Sequence, residues 1–155
     1  MTDLKLLALD SEDLEVISAY MQDAIVRVED LGFAKEDQRF ALLTNRFAWE
    51  AEGGPANGRA ADRKANGQRK RAALRFDKVL NAVPSGIELH ARDGVLELLS
   101  VVFVPGTEPS GVVTLLFAGG GTVKLEVECL EARMHDLGAT WAAKATPRHD
   151  LSENT

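Results

Sequence analysis

The stretch FAGGGTVKLEVE, Phe117 to Glu128, sets three glycines between an apolar run and an alternating one. A phosphate-binding loop would carry such glycines into a helix N-terminus, where unpaired backbone N–H groups meet the anion. Here they lead into TVKLEVE, in which Val123, Leu125 and Val127 alternate with Lys124, Glu126 and Glu128. A period of two marks a strand. The glycines are therefore expected to join two antiparallel strands and to supply the positive φ angles of a tight hairpin. The first of those strands is VVTLLFA, Val112 to Ala118. With no GxxxxGK and no strand-ending GxGxxG elsewhere, nucleotide-binding folds lose their support.

Further strands flank this hairpin. VLELLSVVFV (Val95 to Val104) is apolar on both faces and predicts a central, covered strand. In AALRFDKVLNAV, Leu74 and Phe76 share a face and the frame slips at Val79, as at a bulge. AIVRVED and RFALLTNRFAWE, on either side of a polar bend, read as a hairpin. LKLLAL (Leu4 to Leu9) is a short strand. Asp10 and Ser11 then offer helix caps, with Leu14, Ile17, Ser18 and Met21 on one face of a helix over about 11–22. A second helix is expected from Cys129 to Leu137, with Leu130, Met134 and Leu137 on one face and Gly138 as its stop. An echo runs through the chain: ALLTNRFAW (Ala41 to Trp49) resembles ELLSVVFVP (Glu97 to Pro105), and ALRF (Ala73 to Phe76) resembles TLLF (Thr114 to Phe117). Duplication and convergence of buried strands both account for it.

This inventory predicts a single α+β domain over 1–147. Its sheet is largely antiparallel, closed as a small barrel or sandwich, with one helix near each end. Pleckstrin-homology-like folds are the nearest analogy, which carries no function. Residues 148–155 are expected to be a disordered tail, with Trp141 the one large anchor before it. A chain of 155 residues can bury roughly 70% of its unfolded surface and needs no disulfide or metal. Its single cysteine, Cys129, excludes an internal disulfide and a thiolate zinc site. The opening MTDLKLLALD carries acids and lacks a basic start, so no secretory signal is expected. No apolar run reaches membrane-spanning length. A cytoplasmic location follows as the expectation.

The net charge of −6 is unevenly spread. Residues 1–50 hold 11 acids and 5 bases, 51–92 hold 4 acids and 9 bases, and 93–155 hold 9 acids and 4 bases. Residues 51–70, AEGGPANGRAADRKANGQRK, lack any bulky apolar side chain and are expected to form a flexible surface loop. Arg59, Arg63, Lys64, Arg69, Lys70 and Arg71 in and just after it are opposed within 59–71 only by Asp62. Such an arm suits an acidic protein partner, or a polyanion whose binding weakens with salt. It has no aromatic residue to stack a base.

FAGGGTVKLEVECLEARMHDLG, followed by a tryptophan and PRHD, resembles an uncharacterised alphaproteobacterial family of small proteins catalogued as a domain of unknown function. The similarity runs along most of the chain and is least specific at 51–70. It implies a bacterial cytoplasmic protein, with a gene lying near cell-wall precursor and histidine biosynthesis genes. It lends no catalytic residue.

Catalytic patterns are weak. His90, His135 and His149 each have an acid nearby, yet nothing in their spacing makes them converge on one target, and no HExxH occurs. Ser85 and Ser110 sit in Pro-Ser-Gly turns and not in a nucleophile elbow. Cys129 continues the inward phase of Val127 and is expected to be a small buried hydrophobe. Glu126, Glu128, Glu131 and Asp136 are expected to form a solvated acidic face. An enzyme would need Trp49, Trp141 or His149 to meet acids in a pocket. No cofactor and no metal are called for. The expected function is a non-enzymatic binding or adaptor protein, with a protein partner or self-association. Nucleic-acid or polyanion binding through 59–71 is the alternative.

Overall fold

The computed structural model describes residues 3–49 and 69–138. Ten strands lie in one sheet: β1 (Lys5–Ala8), β2 (Ala24–Arg27), β3 (Leu31–Ala34), β4 (Arg39–Phe47), β5 (Arg69–Phe76), β6 (Val79–Ser85), β7 (Val95–Pro105), β8 (Gly111–Phe117), β9 (Thr122–Val127) and β10 (Ala132–Asp136). Helix α1 (Ser11–Tyr20) follows β1. The strand order is β1-β10-β5-β4-β2-β7-β8-β9-β6, with β3 beside β4, and the registered pairs are antiparallel. The end strands β1 and β6 do not pair with each other. The sheet is therefore open, and the expected barrel is not closed.

The opening glycines do form a hairpin. Gly119 and Gly120 take φ of +89° and +96°, which an L side chain rarely adopts. The Phe117 N–H donates to Gly121 O at 2.9 Å, and the Gly120 N–H to Phe117 O at 3.2 Å. Helix α1 starts where its cap is written: Asp10 Oδ1 accepts from the Asp13 N–H at 2.8 Å. Leu14, Ile17 and Met21 enter the core with Phe33, Phe76, Leu98, Leu115 and Val123. Each large side chain so buried contributes about 1.5–3 kcal/mol over leaving it in water.

Several expectations need correction. The C-terminal segment is not a helix. Ala132, Met134 and Asp136 are buried while Arg133 and His135 are half-exposed, and β10 sits between β1 and β5. Two waiting strand edges outweigh a helical pattern that is weak over nine residues. Without that helix the pleckstrin-homology-like arrangement is not formed among the described residues. AALRFDKVLNAV is two strands, broken at Lys78 with φ +61°, and the slip at Val79 is a register shift between Val79 and Asn81. β4 makes its hairpin with β3; with β2 it shares only the Ile25–Asn45 pair. β7 is central, between β2 and β8, but not covered on both faces, since Val95, Leu99, Val102 and Val104 are exposed. The echoed strands differ in register: Leu42 faces Leu74, whereas its counterpart Leu98 faces Phe117 and not Leu115.

Candidate functional site

Two of the strands with a free edge, β3 and β6, flank a cleft of ≈260 Å³. Its floor is apolar and belongs to the core: Leu31, Phe33, Phe40, Ala82 and Val123. Leu89 and Pro84 form part of the wall, and Lys35, Asn81 and Arg92 supply the polar lining. The Val79 N–H donates to Gln38 O at 2.9 Å, and the Val28 and Glu29 N–H groups donate to Gly94 O and Arg92 O at 2.9 and 3.0 Å. Pro84 has no N–H to offer and Asn81 is exposed, features that discourage edge-to-edge pairing along β6.

Asp30 lies between the cleft residues Val28 and Leu31 in the chain. It is 4% exposed, and its Oδ1 has no hydrogen-bond partner. Burial pushes its carboxyl above the ordinary value, Arg71 pulls it back, and Glu29 pushes it further up. An orphaned buried carboxylate oxygen is uncommon and costs stability.

The acid expected on a solvated face, Asp136, is instead a buried anchor. Its Oδ1 accepts from Arg46 Nε at 2.8 Å and its Oδ2 from Arg46 Nη2 at 2.8 Å. Oδ2 also accepts from the Leu4 N–H at 2.8 Å, with Lys70 Nζ 3.6 Å away. Burial works to raise this carboxyl, but Arg46, Leu4 and Lys70 together hold it below the ordinary range. Both side chains are essentially out of water, 0% and 1% exposed, so this constellation is a structural clasp.

The expected binding cations divide. Arg59, Arg63 and Lys64 lie outside the described residues. Arg69, Lys70 and Arg71 open β5, which takes in the last two residues of the expected loop. Arg69 donates to Asn45 O at 3.0 Å, and Lys70 reaches Asp136 and Asp3 at 3.6 and 3.7 Å. Arg71 pairs in register with Asn45. Glu126 and Glu128 are exposed, as expected, while Cys129 is only half-buried. His90 is exposed in a turn, and His135 is half-exposed on β10. Trp49 fills the interior, its ring 4.6 Å from that of Phe47 at 68°. Trp141 and His149 lie outside the described residues. Among the described residues no three His, Cys, Asp or Glu side chains gather as a metal site, and no helix is long and apolar enough to cross a membrane. Sequence reasoning missed the cleft because its walls come from 28–40 and 81–92, segments far apart in the chain. The one available signal was the length of the turn region after Val83.

A family model described as a protein of unknown function (DUF2948) matches residues 4–149. The chain belongs to this family. The DUF2948 match spans all ten strands, including β3 and β6 on either side of the cleft. No curated protein and no solved structure matches the chain.

Proposed function

We propose that this DUF2948 protein is a non-enzymatic, cytoplasmic binding or adaptor protein that docks a partner protein at the cleft between β3 and β6. The observation that carries this reading is the position of the cleft: it is floored by apolar core side chains and lies between β3 and β6, each of which keeps a free edge. At ≈260 Å³ it falls just below the ~300–1,000 Å³ of pockets that enclose a whole ligand. That size suits anchoring side chains of a partner, as at the centre of protein interfaces. Lys35 and Arg92 in the lining favour a segment that carries an acid beside its apolar anchor.

Photo-crosslinking tests it. A benzoylphenylalanine at Leu89, in the cleft, is expected to capture a protein of defined mass in cells. The same group at Val104, on the outer face of β7, is the control. Adducts at Val104 and none at Leu89 would move the site to the β7 face. A second reading keeps 59–71 as a polyanion contact, favoured by the excess of bases in 51–92. It requires nuclease-sensitive, salt-sensitive retention of nucleic acid that disappears when 57–68 is replaced by a Gly/Ser linker.

A further inference from the structure

The outer face of β4, β5 and β10 gathers arginines in a chain of net charge −6. Arg75 and Arg133 are register partners on β5 and β10, and Arg39 opens the neighbouring β4. All three converge on one carboxylate. Arg39 Nε lies 3.0 Å from Asp77 Oδ1. Arg75 Nε and Arg133 Nη1 lie 3.1 and 3.2 Å from Oδ2. Arg133 Nη1 also donates to Glu131 at 3.1 Å. Each guanidinium thus spends one nitrogen on a carboxylate and keeps the other two, out of five N–H donors in all. The arginine side chains are 35–43% exposed, against 12% for Asp77. Burial tends to raise the Asp77 carboxyl, but Arg39 and Arg75 outweigh it and hold it below the ordinary range. It therefore stays ionised at neutral pH and keeps the three guanidiniums together.

Together with Asp37, Gln38 and Lys78, these groups line a polar hollow of ≈290 Å³. It shares no lining residue with the cleft. The arginines arise from three adjacent strands, a spread of two strand spacings, or about 9–10 Å. Because all three guanidiniums meet at the one Asp77 carboxylate, their donors are close enough to share a phosphate group. A carboxylate is too weakly charged to compete with Asp77 and Glu131. Guanidinium forks match phosphate oxygens in geometry. The lining contains no aromatic ring, so nothing there stacks on a base.

We propose that the Arg39–Arg75–Arg133 hollow binds a phosphate group, whether inorganic or carried by a nucleotide, through the guanidinium nitrogens that Asp77 and Glu131 leave unused.

The test is calorimetric titration of the full chain with sodium tripolyphosphate at low ionic strength. Saturable one-site binding is expected, weakened roughly tenfold or more in Arg75→Gln and in Arg133→Gln. Arg27→Gln, which removes a surface cation paired with Glu29, should bind as the unsubstituted chain does. ATP should bind about as tightly as tripolyphosphate. Much tighter ATP binding would refute recognition by phosphate alone. Binding of a single-stranded oligonucleotide without tripolyphosphate would also overturn the proposal, because the surface would then track a backbone. So would absence of saturation, or unchanged affinity in both arginine variants. Should those variants fail to fold, arginine Nε–Hε NMR signals of the unsubstituted chain decide. Tripolyphosphate must shift those of Arg39, Arg75 and Arg133, and shifts confined to other arginines refute the site.

Discussion

Replacing Asp136 with Asn keeps the shape of the clasp and removes its charge. Arg46, at 0% side-chain exposure, would then lose the charge of its bidentate carboxylate partner in the interior. One amide nitrogen would also face donors where an acceptor had been. Breaking a buried pair in this way costs about 3–5 kcal/mol. Total stability for a domain is about 5–15 kcal/mol, so roughly a fifth or more is at stake. At about 2–4 °C per kcal/mol for a domain of this size, the melting midpoint should fall by about 6–20 °C. Urea denaturation of the full chain gives the free energy directly. The companion double variant, Arg46→Met with Asp136→Leu, should recover much of the loss, because it removes both charges together. The sign with pH is fixed by the lowered carboxyl of Asp136. Its stabilisation is complete above the ordinary value of 3.8 and is lost as pH falls through the lower folded value. A loss below about 1 kcal/mol for Asp136→Asn would refute the reasoning; water would then have to reach the pair.

Asp30→Asn should stabilise the protein at neutral pH by about 0.5–2 kcal/mol, read by thermal melting. Because burial raises the Asp30 carboxyl, the penalty is absent below the ordinary carboxyl value and complete above the raised one. The gain should therefore vanish on acidification. Gly120→Ala meets no atom within 4 Å but must adopt φ +96°, so it should cost about 1–2 kcal/mol in urea. Asp10→Ala removes the cap of α1 and should cost about 1 kcal/mol, with the loss confined to equilibrium stability. Leu89→Asp, at an exposed cleft residue, should leave the melting temperature within a few degrees while abolishing the Leu89-side adduct formed by a crosslinker at Asn81.

The legible parts of the sequence were those in which one local rule acts alone. TVKLEVE has clean alternation and three glycines before it, and it forms the expected hairpin. Asp10 followed by acids gives the cap of α1. The pattern failed where polarity was reversed by a distant partner. In ARMHD the inward residues are Ala132, Met134 and Asp136. An inward aspartate hides the period of two until Arg46, 90 positions away, is known to meet it. β7 looked covered because its outward residues are valine and leucine, and nothing in the sequence distinguishes an exposed apolar face from a buried one. Of the functional candidates, the cations were visible as a local charge excess. The cluster at Asp77 was not, since its arginines are spread from position 39 to 133.

The bond from the Leu4 N–H to Asp136 joins residues 132 positions apart, and among the described residues β1 has only β10 as its strand neighbour. On the ribosome, the first strand to be made must wait for the last. Until then Leu6 and Leu7 belong to an unpaired segment, and the Arg46 guanidinium lacks its carboxylate. Folding of this domain is thus expected to finish only after residue 136 has cleared the exit tunnel, so nascent chains stalled short of that point should remain protease-sensitive, however well β2 to β9 have paired.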